Sequence, residues 1–191
     1  MTGSRRVLRD IAVFAMVFQV FHFIEHAAQL TYWFGYPTKA PFLTPWAVAG
    51  RDILAVDGTH GGGNELLHLV GNLIFLGGIV ALALVARHSG RKTVEIPYLR
   101  KAMVLQGIHV AEHVLLTFSY FILGLALGFT TLFGAAQGAF GSSLRIWAHF
   151  LLNLVGTYYV LRAAWEMYGL GMILDRSTGA RKETRRAGIH L

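Results

Sequence analysis

The chain has 191 residues, of which 54% are hydrophobic and only 14% are charged. A soluble domain usually carries about 25% charged residues, so this composition favours an integral membrane protein over a soluble one. The chain contains no Cys, which excludes a disulfide framework, a thiolate metal site and a Cys nucleophile. The net charge of +7 lies in the tails and one loop, where membrane topology places it, so no nucleic-acid partner is predicted.

The apolar runs predict four transmembrane helices, because about 20 apolar residues span the hydrocarbon core of a bilayer. In chain order these helices cover about residues 11–33, 64–86, 102–129 and 144–168. Residues 34–62 and 130–142 are predicted loops, and residues 169–191 form a basic tail. Lys and Arg concentrate in the N-terminus, the loop 87–101 and the tail, so the positive-inside rule predicts cytoplasmic termini. We therefore expect residues 1–191 to form a single domain in a plasma or inner membrane of bacterial type.

An internal repeat organises these helices. Residues 15–26 read AMVFQVFHFIEH and residues 102–113 read AMVLQGIHVAEH, with seven identical positions that include every polar residue. An H-x-x-x-N-L pattern at residues 68–73 recurs at residues 149–154, in the corresponding helix of the other half. Such self-similarity indicates a duplicated structural unit.

The repeated unit is a helical hairpin, spanning about residues 10–86 in the first copy and about residues 98–168 in the second. A unit with an even number of spans inserts in the same orientation twice, so the pseudo-twofold axis runs along the membrane normal. The predicted fold class is all-α integral membrane. It is a four-transmembrane-helix bundle built from two parallel-repeat helical hairpins.

Both copies place ionisable side chains inside apolar helices, at depths that predict one layer in the outer half of the bilayer. Such residues cost a few kcal/mol each on insertion, so they normally pair, line a cavity or bind something. Six imidazoles and two carboxylates make two sets of three His and one Glu, which suit Fe, Mn, Zn or Cu(II). The predicted metal ligands are His22, Glu25, His26, His68, His109, Glu112, His113 and His149.

Four amides near these ligands are predicted to accept from the free N–H of a ligand imidazole and so fix its tautomer. They are Gln19, Asn72, Gln106 and Asn153. His60, in a Gly-rich loop, and Glu65, three residues before His68, are possible extra ligands.

These residues predict an oxidoreductase of the oxygenase, hydroxylase or desaturase type, with two transition-metal ions per chain and iron as the expected metal. The catalytic residues themselves are not assigned. The substrate would be lipid-like or hydrophobic and would arrive from the bilayer, and a separate electron donor would be needed. Membrane lipid desaturases and hydroxylases are similar in having histidine-rich sites within helices and no Cys. The chain lacks their clustered H-x-x-H-H boxes.

Other hypotheses remain open from the sequence. Two of the histidines could ligate a haem b for electron transfer with a quinone. The layer could serve metal-ion or proton transport, or the chain could be an accessory subunit of a membrane complex. The polar residues could form only a structural network between helices, and H-x-x-E-H also occurs as a zinc-protease pattern.

Overall fold

The computed structural model describes residues 3–36, 43–129 and 141–170, with the side chains of the last range described from residue 146. This part of the chain is helical throughout and contains no strand. Most of the predicted loop 130–142 and of the basic tail 169–191 lies outside the described residues. The elements are α1 (Gly3–Gly35), α2 (Pro45–Ile53), α3 (His60–His88), a 3-10 turn (Thr93–Glu95), α4 (Pro97–Leu123) and α5 (Gly141–Gly169).

Each of the four long helices overlaps one of the predicted spans, with shifted ends. The helix α3 begins earlier than predicted, because the Thr59 hydroxyl caps it by accepting a hydrogen bond from the Gly62 N–H at 3.0 Å. Thr59 in turn donates from its side chain and its backbone to Asp57, and these bonds hold the pKa of Asp57 below its usual value. The helix α4 ends earlier than predicted, at Gly124, whose φ of 71° lies in the left-handed region typical of a helix end.

The helix α2 is an element that the sequence did not predict, since residues 34–62 were expected to be a loop. Thr44 lies at its N-cap and Pro45 in its first turn, where the missing N–H of proline costs nothing. The helix packs against α3, where an added Cβ on Gly63 would meet the carbonyl oxygen of Arg51. A glycine is therefore needed where the two helices approach.

The four long helices form an antiparallel ring in which α1 and α4 each pack against both α3 and α5. Along the α1–α3 contact, Gly78 faces Ala15 while Gly71 faces His22, so the residue numbers run in opposite directions. An added Cβ on Gly78 would collide with the Ala15 methyl group, so small residues set this close approach.

The bundle buries many polar side chains and exposes many large apolar ones. In the described part of the chain, fifteen polar or charged residues are buried, among them amides, imidazoles and carboxylates. Large apolar side chains face outwards on α1, α4 and α5, as shown by Phe14, Phe118 and Trp165, which are 63%, 62% and 68% exposed. The helices α1 and α3 are long and apolar enough to cross a membrane. The described fold is therefore helical, with polar as well as apolar side chains in its interior.

The interior has two levels. At the end where α1 and α4 begin, an apolar cluster fills the bundle, with Phe75, Ile79, Leu82, Leu99 and Met167 almost completely buried. The buried polar residues lie towards the opposite end, one or more turns further along α1 and α4. This apolar plug separates the polar level from that end of the bundle.

Candidate metal centre

Six imidazoles lie together at the polar level of the bundle, contributed by all four long helices. The ring centroids of neighbouring members are 4.6–6.2 Å apart. Five of the rings belong to residues that are at most 8% exposed, and the sixth, His22, is partly buried. The structure thus gathers every histidine predicted as a ligand. We call this set the histidine cluster: His22, His26, His68, His109, His113 and His149.

The second triad consists of His109, His113 and His149, and its nitrogens converge. The Nε2 atom of His113 lies 3.2 Å from Nε2 of His109 and 3.1 Å from Nε2 of His149. One ligand nitrogen from each of the three residues lies within 4.8 Å of the others. Nε2 of His113 takes part in both contacts, and the one proton that it can carry cannot satisfy both. A cation between the rings would accept a lone pair from each nitrogen. The Nδ1 atom of His109 is also buried and has no hydrogen-bond partner among the described residues.

The first triad consists of His22, His26 and His68, and two of its rings have their protons fixed. His68 Nδ1 donates to the backbone carbonyl of Asn64 at 2.8 Å, and His26 Nδ1 donates to Oε1 of Gln29 at 3.1 Å. With the proton on Nδ1, each ring keeps an unprotonated Nε2, which is the form that binds a metal. Nε2 of His26 lies 3.2 Å from Nε2 of His22.

The distances between these Nε2 atoms match those between ligands of one metal ion. Two imidazoles bound at about 2.0–2.1 Å place their nitrogens about 2.9–3.4 Å apart, for angles from octahedral to tetrahedral. The observed separations of 3.2, 3.2 and 3.1 Å fall inside this range. The two triads also touch, since the rings of His68 and His113 stack at 5.6 Å between centroids. The nitrogens of His109, His113 and His149 thus converge as a set of three, whereas in the first triad the ligand-like separation is that between His22 and His26.

The two glutamates predicted as ligands make hydrogen bonds to the connecting segments. The Glu25 carboxylate accepts from the backbone N–H of Thr44, from the Thr44 hydroxyl and from the Gln29 amide. The Glu112 carboxylate accepts from the backbone N–H of Phe129 at 2.6 Å. Each carboxylate thus ties its own helix to the segment that follows that helix. Glu25 also lies at the N-terminus of α2, where the helix dipole favours a negative charge.

The four amides pair with each other across the repeats. Nε2 of Gln19 donates to Oδ1 of Asn153 at 2.9 Å, and Nε2 of Gln106 donates to Oδ1 of Asn72 at 2.8 Å. Each asparagine also donates to the carbonyl of the histidine four residues earlier in its own helix. These contacts position the backbone of His68 and His149 and do not involve the imidazole nitrogens. The amides therefore hold the helices together one turn from the cluster, which differs from the predicted contact with the rings.

The two possible extra ligands differ in exposure. The side chain of His60 is 73% exposed at the first residue of α3, with Nε2 at 3.7 Å from a carboxylate oxygen of Asp52. Glu65 is buried on α3, where its backbone carbonyl accepts from the Thr117 hydroxyl at 3.3 Å. His60 therefore belongs to the surface.

Sequence reasoning missed three residues at the site. Gln29 fixes the proton of His26, Thr44 holds the Glu25 carboxylate, and the Thr157 hydroxyl accepts a second bond from Gln19 at 3.1 Å. A signal was present only for Thr44, because a threonine directly before a proline is typical of a helix start. Gln29 and Thr157 have no identical counterpart in the other repeat, so the duplication could not reveal them.

Comparison with known proteins gives a family but no activity. No curated protein and no solved structure matches the chain. Residues 5–171, which include every predicted ligand, match a family described as a family of unknown function, DUF6008. The chain therefore belongs to DUF6008.

Proposed function

We propose that the protein is an integral membrane metalloprotein in which the histidine cluster holds two transition-metal ions that serve an oxidoreductase reaction on a hydrophobic substrate. The observation that supports the proposal is the gathering of six imidazoles inside a bundle with an apolar exterior, where three pairs of Nε2 atoms lie at ligand-to-ligand distances.

The membrane location rests on the large apolar side chains exposed on the long helices. Large exposed apolar surfaces are costly in water, and soluble monomers rarely display them on several helices at once. Here they occur on α1, α4 and α5, while the polar side chains face inwards. We infer that all four long helices span the bilayer, with both termini in the cytoplasm as the distribution of Lys and Arg predicts.

Metal binding explains why six imidazoles share one buried level. A purely structural network could use Ser or Asn, and such contacts between membrane helices are worth only about 0.6–2 kcal/mol. Imidazoles are the commonest metal ligands, and two of these rings have Nε2 held in the unprotonated form. Three nitrogens per ion leave at least one coordination position open, which is typical of reactive sites.

Iron is the expected metal, and a donor set built from imidazoles suits copper as well. Both metals supply redox chemistry when bound. The residues of the chain hold and orient the ions, exclude bulk water through the apolar plug and keep the triads in contact. The proposed reaction also requires electrons, which a separate donor would supply.

Haem is less well supported as the cofactor. An axially ligated haem must place its macrocycle between two imidazoles. In the histidine cluster the rings approach to 4.6 Å between centroids, so a macrocycle would have to separate groups that are in contact. Bare metal ions fit between the Nε2 atoms without such a change.

The first test is the metal content of the full chain, purified in detergent without any chelator and measured by element-resolved mass spectrometry. With three imidazoles for each ion, we expect about two transition-metal ions per chain. The matched control is the His60→Ala variant, which removes an exposed imidazole and should leave the metal content unchanged. A protein without bound metal would overturn the proposal and leave the structural network as the better explanation.

A further inference from the structure

A cavity of about 290 Å³ lies between α1, α2 and α3, beside the first triad. Its volume is close to the lower limit of typical small-molecule sites, which is about 300 Å³. It holds roughly ten heavy atoms, at about 30 Å³ for each, the share of one water molecule in the liquid. The lining residues are Phe18, Phe21, His22, Glu25, Gln29, Leu43, Trp46, Ala47, Gly50, Leu67 and His68.

The cavity has an apolar body and one polar end. Its walls are mostly aromatic and aliphatic, whereas His22, Glu25, Gln29 and His68 form the polar part of the lining. Phe21 and Trp46 line the cavity and are 55% and 52% exposed, from which we infer that the mouth opens beside them on the outer surface of the bundle. A molecule that enters there from an apolar medium would reach the histidines with its far end.

The polar end offers one donor and one acceptor. Nδ1 of His22 has no hydrogen-bond partner among the described residues, and a neutral imidazole that binds a metal through Nε2 carries its proton on Nδ1. The Glu25 carboxylate accepts hydrogen bonds and is the acidic side chain of the lining. A hydroxyl group both accepts and donates, so it matches this pair, whereas a carboxylate would be repelled by Glu25.

We propose that this cavity binds an uncharged, mainly hydrocarbon molecule of about ten heavy atoms that carries a hydroxyl group at the end beside His22 and Glu25. The inference deepens the proposed function, because it places the polar end of the ligand next to the metal-binding nitrogens of the first triad. Three features support this inference together: an apolar cavity, an accessible mouth and a donor–acceptor pair.

The test uses a diazirine-bearing decan-1-ol as a photoreactive probe, on the full chain in phosphatidylcholine nanodiscs. Adducts are mapped by peptide mass spectrometry. We expect saturable labelling of the lining segments of α1, α2 and α3. Unlabelled decan-1-ol should compete, and decanoate should compete at least about tenfold more weakly because Glu25 repels its carboxylate. Non-saturable labelling, or equal competition by decanoate, would overturn the proposal.

Two variants on α2 form a matched pair. Ala47 is buried and lines the cavity, whereas Ala49 is exposed on the same helix. Ala47→Phe fills the cavity and should reduce labelling at least about fivefold, while Ala49→Phe should leave labelling unchanged. Equal labelling of the two variants would overturn the assignment of the site. Should Ala47→Phe fail to fold, Gly50→Ala adds a smaller group, which meets the Leu67 side chain, and should weaken labelling in the same direction.

The metal content of the same samples separates this inference from the proposed function. Saturable labelling of a metal-free protein would support the cavity and overturn the metal centre. Bound metal without saturable labelling would support the metal centre and overturn the ligand site.

Discussion

The two triads of the histidine cluster descend from the same repeated motif, yet their surroundings differ. The second triad is closed, with its three residues at most 4% exposed. The first triad lies against the cavity, and its His22 is only partly buried. The proton of His26 is fixed by Gln29, which has no identical counterpart in the second repeat.

This difference predicts different roles for the two triads. Each triad has three imidazoles, and the Nε2 atoms of His22 and His26 are as far apart as those of His109 and His113, at 3.2 Å. The two triads differ in accessibility. Among the described residues, α2 and the cavity lie beside the first triad. In the proposed function, the first triad meets the substrate and the second holds the neighbouring ion in a closed environment.

The largest expected effect tests whether the triads are equivalent as metal ligands. His26→Ala and His113→Ala each remove one of three imidazoles, which leaves too few ligands for a stable site. We expect both variants to lose metal to a similar degree, at least about half of the wild-type content, by element-resolved mass spectrometry. A loss confined to one variant would show that only one triad binds metal.

A second prediction tests whether the two glutamates stabilise the fold or bind the metal. Glu25→Ala removes the acceptor for Thr44 and leaves buried donors unpaired, so the free energy of unfolding should fall by about 2 kcal/mol. Hydrogen exchange should increase in residues 43–53, while metal content should stay near the wild-type value. Glu112→Ala is the matched variant in the other repeat, and it should act on the segment at Phe129. A clear loss of metal in either variant would instead identify its carboxylate as a ligand.

A smaller difference is expected between the two amide pairs. The carbonyl oxygen of Gln19 is buried without a hydrogen-bond partner among the described residues, so its removal recovers part of the lost stability. Gln106→Leu should therefore destabilise the metal-free protein by about 1 kcal/mol more than Gln19→Leu, in a titration with denaturing detergent. The reverse order would show that the Thr157 contact of Gln19 is worth more than its unpaired oxygen costs.

The smallest effect concerns the surface histidine. His60 forms only an exposed contact with Asp52, and such pairs contribute little to stability. His60→Ala should change the free energy of unfolding by less than about 0.5 kcal/mol. A larger change would mean that the start of α3 depends on this imidazole.

The helices and the six histidines could be predicted because both leave a recognisable pattern in the sequence. The apolar runs marked the long helices, and the duplication identified His22, His26 and their partners as a set. The role of Glu25 could not be found in this way, because its partner is a backbone N–H that lies 19 residues further along the chain. The helix α2 was missed because it is short and lies in a segment rich in proline.

The repeat could not predict which of the four amides pair with each other. The motif placed a Gln and an Asn in each half, but the spacing did not reveal that each Gln pairs with the Asn of the other half. That choice depends on the ring order of the helices, in which α1 lies beside α5 as well as α3. Only the tertiary arrangement determines it.

The exchange of amide bonds between halves has a consequence for how the chain arose and assembles. Neither hairpin can satisfy its own Gln and Asn by the bonds seen here, since Gln19 needs Asn153 and Gln106 needs Asn72. In a symmetric dimer of a single ancestral hairpin, the same bond would form twice across an isologous interface. Fusion of two such genes would preserve both bonds and then free each half to change. The Gln–Asn bonds thus have the reciprocal pattern of an isologous subunit interface, here enclosed in one polypeptide.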